Sequence, residues 1–197
     1  MMEIANKDPE TLRERLIEAA LEILSEDGIE ALTLRSVARR AGVSHGAPAR
    51  HFRSLSDLLA EVAAVGYRLL SEAVEKSGAS LPPDEASSSH LAAAGRAYIE
   101  SALAHPGLFA LMFRTGDLAA DNLSYARDSS AAFRGLLEHV LVAQSEGWKP
   151  DHDPRLLAGA LWSSVHGLAT LWAQGAYQNA NPEASLENAI ATTLQLA

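Results

Sequence analysis

A chain of 197 residues, 48% apolar and without cysteine, is long enough to bury a core and must do so without disulfides, thiol nucleophiles or thiolate metal sites. Its formal charge of −9, from 16 Lys and Arg against 25 Asp and Glu, excludes a generally basic coat protein for nucleic acid but leaves room for a local basic surface. No apolar run reads as approaching the roughly 18 to 20 residues needed to span a bilayer. The opening MMEIANKDPETLRERL has no apolar signal core, so a cytoplasmic protein without a membrane partner is expected.

The charge is unevenly placed. Residues 1–30 sum to −6, residues 31–60 to +4 and residues 61–197 to −7. Residues 31–55 hold Arg35, Arg39, Arg40, Arg50 and Arg53 with no acid among them, which marks one basic face. Arginines also solvate surfaces and cover apolar packing with their stems, so the cluster alone does not decide between a binding face and an ordinary one.

Helix formers dominate, apolar residues recur three and four apart, and no convincing alternating run occurs, so an all-α fold of about nine helices is expected. A first helix from about Pro9 to Asp27 presents Leu12, Leu16, Ala19, Ala20, Ile23 and Leu24 on one face and stops at Gly28. Thr33 caps a second helix over 34–41, and Gly42 supplies a tight turn. Ser44 caps a third helix from about His45 to Phe52. Ser54 with Asp57 forms a capping box for a fourth, from near Leu55 to about Ser77.

Residues 78–90, GASLPPDEASSSH, form a loop before a helix over about 90–104, which His105-Pro106-Gly107 breaks. The apolar LFALMF at 108–113 follows, then helices over about 118–145, 153–178 and 183–196.

Residues 33–52, TLRSVARRAGVSHGAPARHF, carry a short apolar-periodic helix, a glycine turn and a second short helix, the pattern of a helix-turn-helix. Two packed helices of an ordinary all-α protein fit the same pattern. Together with the leading ERLIEAALEILSEDGIEAL and the following RSLSDLL, the segment resembles the tetracycline-repressor (TetR) family of bacterial transcriptional regulators in register over about residues 10–60. The resemblance implies a DNA-binding head over 1–54 and an effector-binding and dimerisation domain over 55–197.

It further implies that Ser44, His45 and Gly46 open the recognition helix and that His45, Ala47 and Arg50 approach base edges, with His51 nearer the backbone. Thr33 and Arg35 would contact phosphate. Phe52 reads instead as a core wedge. The family usually has a tyrosine two residues before the His-Phe pair and a lysine three after the phenylalanine. Here these are Ala49 and Leu55, which removes two phosphate anchors, and Arg53 is expected to replace the lysine.

LWSSVHGLATLW at 161–172 resembles the Trp-His-Gly-type C-terminal domain of one branch of that family. Tyr98, Leu103, Phe109, Met112, Phe113, Leu137, Val140, Trp162 and His166 are the expected lining of a pocket for a small, mostly apolar effector, each also readable as core. Ala158 and Ser163, with Leu186, Ala189, Ile190 and Leu194 of the last helix, are expected to build a four-helix dimer interface. A homodimer would place two recognition helices on a palindromic double-stranded operator. Effector binding would tilt the long fourth helix and change their spacing.

No HExxH, GxSxG or phosphate loop occurs and His166 has no partner at HxxxH spacing, so no catalysis, cofactor or metal is expected. The competing reading is a helical protein-interaction adaptor with weakened or lost DNA binding, favoured by Ala49 and Leu55.

Overall fold

The computed structural model describes residues 11–82 and 85–196, and every regular element among them is helical. In chain order these are α1 (Leu12–Glu26), α2 (Leu34–Arg40), α3 (Leu55–Ala79), α4 (Ser87–Ala104), α5 (Pro106–Met112), α6 (Leu123–Ser145), α7 (Pro154–Ala173), α8 (Ala176–Ala180) and α9 (Leu186–Leu196). Short 3₁₀ turns cover Ile29–Ala31 and Pro48–Arg50. The all-α architecture is the one expected.

Pro9, read as the opening of the first helix, lies outside the described residues. Within them Thr11 caps α1 through a reciprocal box with Glu14. Leu16, Ala19, Ala20, Ile23 and Leu24 form its buried face, and Gly28, at φ 81°, takes the chain past its end as the sequence indicates. Thr33 caps α2 by accepting from Ser36 N at 3.0 Å while Ser36 Oγ accepts from Thr33 N at 2.9 Å. Val37 and Ala38 are fully buried beneath α1, and Gly42, at φ 68°, makes the turn.

The expected third helix is not a continuous α-helix. Residues 44–47 form a turn in which the Ser44 carbonyl accepts from Ala47 N at 2.9 Å, and Pro48–Arg50 is a single 3₁₀ turn. Pro48 is the reason. It has no N–H to donate back to residue 44, and its ring crowds that carbonyl, so no regular helix can run through it. Ser44 therefore contributes its carbonyl rather than a capping hydroxyl. Phe52 is 2% exposed and packs in the core as expected, with the Arg13 guanidinium 5.4 Å from its ring centre.

α3 is the longest helix and carries the chain from the head into the bundle, where it packs on α4, α5 and α6. Gly66 lets α5 approach: a Cβ there would lie 2.5 Å from Met112 Sδ. The loop before α6 runs longer than predicted, because Asp117 N bonds Arg114 O and Asn122 N bonds Ala119 O in successive turns. The helix then begins at Leu123, not near 118, with Asn122 as its cap. The helix expected over 153–178 breaks into α7 and α8 at Gly175, which sits at φ 71°.

One expectation from composition fails at α7. It has 20 residues with mean hydropathy 1.2, which by length and composition is enough to cross a bilayer. It packs instead on α4, α6, α8 and α9, closing Val165, Leu168 and Ala169 into the main core and Leu157 and Ala158 into a second cluster with Leu91, Val140 and Ala143.

Candidate DNA interface and bundle cavity

The expected DNA-facing residues of the head lie on α2 and the turn that follows. Thr33, Arg35, Arg39, Ser44, His45, Gly46, Arg50 and His51 all face solvent. Ala47 does not. It is 8% exposed, because the turn around Pro48 closes its methyl into the head's core, so it is not positioned to reach a base edge.

The five arginines of the basic stretch are not equivalent. Arg40 is drawn back onto α1, with Nη1 2.9 Å from Glu26 and 3.3 Å from Glu22 and Nη2 3.4 Å from Asp27. Arg53 is bound as a fork: Nη1 and Nη2 donate to the two Asp121 carboxylate oxygens at 2.7 and 3.1 Å, and Nη2 reaches Asp57 at 3.3 Å. The expectation that Arg53 supplies a free phosphate anchor is corrected on this point, because two carboxylates occupy it. Arg35, Arg39 and Arg50 have no ion pair among the described residues.

Arg53 belongs to a polar network that joins head and bundle. Asn122 is 5% exposed; its Nδ2 donates to Asp57 Oδ1 and to Glu61 Oε1, both at 2.9 Å, while its Oδ1 accepts from Tyr125 N at 2.9 Å. Glu61 also takes Arg13 of α1 at 2.8 Å, and Asp57 takes the Arg53 backbone N–H at 3.1 Å. The capping box expected of Ser54 and Asp57 is thus half present. The Ser54 hydroxyl accepts from Asp57 N, but the Asp57 carboxylate turns toward Arg53 and Asn122. Burial pushes both Asp57 and Glu61 upward, yet the donors from Asn122 and the arginines outweigh it and hold both below the ordinary carboxylate range.

Between α3, α4, α6, α7 and α9 lies a cavity of about 1060 Å³. Leu70, Val74, Leu91, Ala94, Leu136, Leu161 and Val165 give it aliphatic walls, and Tyr67, Tyr98, Phe113, Tyr125, Phe133 and Trp162 give it aromatic ones. Arg68 also faces it and pairs at 2.7 Å with Asp128, whose carboxylate takes Arg127 as well and is held below its ordinary range by these guanidiniums despite burial.

Of the expected lining, the structure brings Tyr98, Phe113 and Trp162 to this cavity. Phe109 and Met112 are closed between α3, α4 and α5, Leu103 packs on the main core, and Val140 and Leu137 belong to the second cluster. Phe109 and Met112 are placed off the cavity because α5 seats on Gly66 and turns its apolar face into the α3 contact.

His166 stands behind the wall in an aromatic nest, 4.5 Å from the Phe113 ring centre and 5.2 Å from that of Phe109. Trp162 Nε1 donates to Tyr98 Oη at 3.1 Å, and the same hydroxyl is hydrogen-bonded to His166 Nδ1 at 2.8 Å. Burial pushes the His166 pKa below the ordinary histidine value, which favours the neutral imidazole.

The expected dimer residues divide. Ala158, Ala189 and Ile190 are 0, 3 and 1% exposed and closed inside the protomer, Ala158 in the second cluster with Leu91 and Val140, Ala189 and Ile190 because α9 turns its apolar side onto α4 and α7. Leu194 lines the cavity and Leu186 packs on the core, both partly buried, whereas Ser163 is exposed. The outward large apolar residues are Leu156 (76%), Trp162 (38%) and Leu171 (47%) on α7, Leu141 (47%) and Val142 (53%) near the end of α6, and, apart from these, Leu123 at the start of α6 and Leu69 on α3. Among the described residues no His, Asp and Glu are grouped to hold a metal.

A helix-turn-helix head continued through α3 into a helical bundle with a cavity between its helices defines a class of DNA-binding regulator that answers to small molecules. The family description "Bacterial regulatory proteins, tetR family" matches residues 16–62, and "Tetracyclin repressor-like, C-terminal domain" matches residues 91–193, more than half of the chain. The chain belongs to the TetR family of transcriptional regulators. An uncharacterized HTH-type transcriptional regulator of Mycobacterium tuberculosis is 29% identical over 175 residues, 87% of this chain and 75% of that one. A protein of unknown function from Rhodococcus sp. RHA1 superposes with a TM-score of 0.82 at 28% identity, over 98% of this chain and 96% of the other. The fatty acid degradation regulator FadR from Bacillus halodurans shares the fold, with a TM-score of 0.72 at 15% identity over 96% of each chain.

Sequence reasoning missed the Asp57, Glu61, Asn122 and Asp121 network. A signal was present: two acids four apart on an otherwise apolar stretch of α3, LSDLLAEVAA, place carboxylates on one buried stripe. Arg68 with Asp128 was missed because the two lie 60 residues apart.

Proposed function

We propose that the chain is a dimeric repressor that binds a palindromic operator and is released by a small, mostly apolar effector held in the bundle cavity. The observation that carries the reading is the junction of two features by one helix: exposed Arg35, Arg39 and Arg50 on the head and, along α3, a cavity walled chiefly by aliphatic and aromatic side chains. Residues 1–54 act as the DNA-binding head and 55–197 as the effector and dimer domain. Thr33, Arg35, Ser44, Gly46 and His51 take phosphates, and His45 and Arg50 reach base edges. Tyr98, Phe113 and Trp162 take the effector, with the Tyr98 hydroxyl and Arg68 its polar partners. The WSSVHG run of α7, from Trp162 to Gly167, supports assignment to the Trp-His-Gly branch of the family, and the reading places the protein in the cytoplasm.

The dimer face is the outward side of α7, where Leu156, Ala160, Ser163, Gly167 and Leu171 recur three or four apart, extended by Leu141 and Val142 of α6. So apolar a helix, only 28% buried within the protomer along its most apolar window, supports a partner there.

Fluorescence anisotropy on the DNA upstream of the chain's own gene tests the reading. The parent binds specifically, and Arg50→Ala weakens binding and flattens the plot of log K against log salt by about 0.9 per lost phosphate contact, near 1.8 for a dimer, if Arg50 rests on phosphate. If Arg50 rests on a base edge, specificity relaxes instead. The adaptor reading keeps one observation in its favour, the burial of Ala47 beside Ala49 in the recognition segment. An intact dimer that gives no specific shift would establish it.

A further inference from the structure

Resting on the regulator reading above, we infer that Arg53 is a DNA anchor held in reserve, clasped by Asp121 and surrendered to a backbone phosphate when the start of α6 moves. Arg53 stands one residue beyond Phe52 and one before the α3 cap, at the junction of recognition segment and bundle, and its side chain is 63% exposed. Yet its fork is taken. Both terminal nitrogens meet the two Asp121 oxygens at 2.7 and 3.1 Å, a bidentate pairing, and Asp57 takes the other edge. A phosphate offers two oxygens to the same planar fork, so it can replace Asp121 donor for donor while Asp57 stays in place.

The two acids differ in how firmly they are held. Asp57 is 8% exposed and also bonds Asn122 and the Arg53 backbone. The Asp121 side chain is 72% exposed and sits in the loop between α5 and α6. Asp121 is therefore the half that can leave.

Its position is set by α6. Asn122, the next residue, caps that helix, and the following turns place Tyr125, Asp128, Ser129 and Ala132 on the cavity wall. Clasp and wall are two parts of one helix, so a helix shift of the usual ~1–2 Å suffices to part a 2.7 Å contact, and a ligand packed against the wall opposes that shift. An effector that holds α6 as it stands here keeps Arg53 clasped and DNA affinity low. Displacement of α6 releases the arginine.

The test uses the full-length protein and a labelled mixed-sequence duplex of about 30 base pairs, titrated between about 50 and 200 mM salt. Asp121→Asn is expected to bind more tightly and to steepen the salt plot by about 0.9 per protomer, near 1.8 for a dimer. Arg53→Ala/Asp121→Asn should match Arg53→Ala, showing that the gain passes through Arg53. Asp117→Asn, the same charge change in the same loop, should leave the slope unaltered. A parent that binds with a slope equal to that of Asp121→Asn overturns the clasp alone. So does a tightening by Asp121→Asn that persists undiminished without Arg53, since removal of a repelling charge then explains it. If neither parent nor Asp121→Asn binds duplex DNA at any salt, the regulator reading falls and the clasp with it.

Discussion

Asn122 is the point at which the junction between head and bundle is most open to attack. Replacing it with alanine removes the α6 cap, which costs about 1 kcal/mol. It also removes two donors to carboxylates, each worth about 1.5–3 kcal/mol. The lower end of that range applies, because Asp57 keeps the Arg53 N–H and Glu61 keeps Arg13. The expected loss is about 4 kcal/mol, a large share of the roughly 5–15 kcal/mol that holds a folded protein. For a chain of this size it corresponds to a fall in Tm of about 8–16 °C.

Asn122→Asp separates the causes. An aspartate caps α6 at least as well as asparagine does and suits the helix N-terminus, but it brings a third carboxylate against two that have lost their shared donor. At neutral pH it should be no more stable than Asn122→Ala. As the pH falls toward the carboxylate range it should gain on the alanine variant, since one of three crowded acids takes up a proton. Urea unfolding followed by circular dichroism, at fixed protein concentration so that self-association does not enter the comparison, measures both. Wild-type stability for Asn122→Asp at neutral pH, or a loss under about 1 kcal/mol for Asn122→Ala, would refute the reasoning.

Gly66→Ala should cost about 1–3 kcal/mol, because the new methyl meets Met112 Sδ at 2.5 Å, and Met112→Val in the same chain should recover part of it; urea midpoints decide. His166 is held below its ordinary pKa by burial, so the unfolded chain binds its proton first. Stability should therefore be full above the ordinary histidine value and decline as the pH drops beneath it, well above the range where Asp57, Glu61 and Asp128 act. His166→Gln should flatten that decline in unfolding free energies measured from pH 7.5 to 5.5, taken as roughly one unit to either side of the imidazole value.

Legibility followed the range of the forces involved. Helix faces, Thr33 as a cap, Gly28 and Gly42 as turns and Phe52 as a wedge are settled by neighbours within a few residues, and all stand as read. Pro48 was equally local and was under-weighted, because the family pattern suggested a recognition helix where the ring permits only a 3₁₀ turn. The cavity was harder. Whether Phe109 or Tyr98 lines it depends on how closely α5 approaches α3, and that is decided by an absent side chain at Gly66, not by the apolar residues of α5. Ala189 and Ile190 failed as interface residues for a similar reason: an amphipathic helix declares that it has a buried face but not whether its own bundle or a second copy covers it.

Segment charge proved the most deceptive quantity. A net +4 over residues 31–60 already subtracts Asp57 but leaves out the acids beyond the segment: Glu22, Glu26 and Asp27 neutralise Arg40, and Asp121 joins Asp57 on Arg53. Within residues 31–60 the arginines left for phosphate are Arg35, Arg39 and Arg50, on a stretch that already has Ala49 and Leu55 where the family usually has a tyrosine and a lysine. With three free arginines on this stretch, each phosphate contact there carries a large fraction of the electrostatic affinity the stretch supplies. A fourth cation that can be clasped or released then changes affinity by more than it would on a densely basic head. The acidic body and the thin basic face together make a regulator's DNA affinity depend on where one loop carboxylate sits.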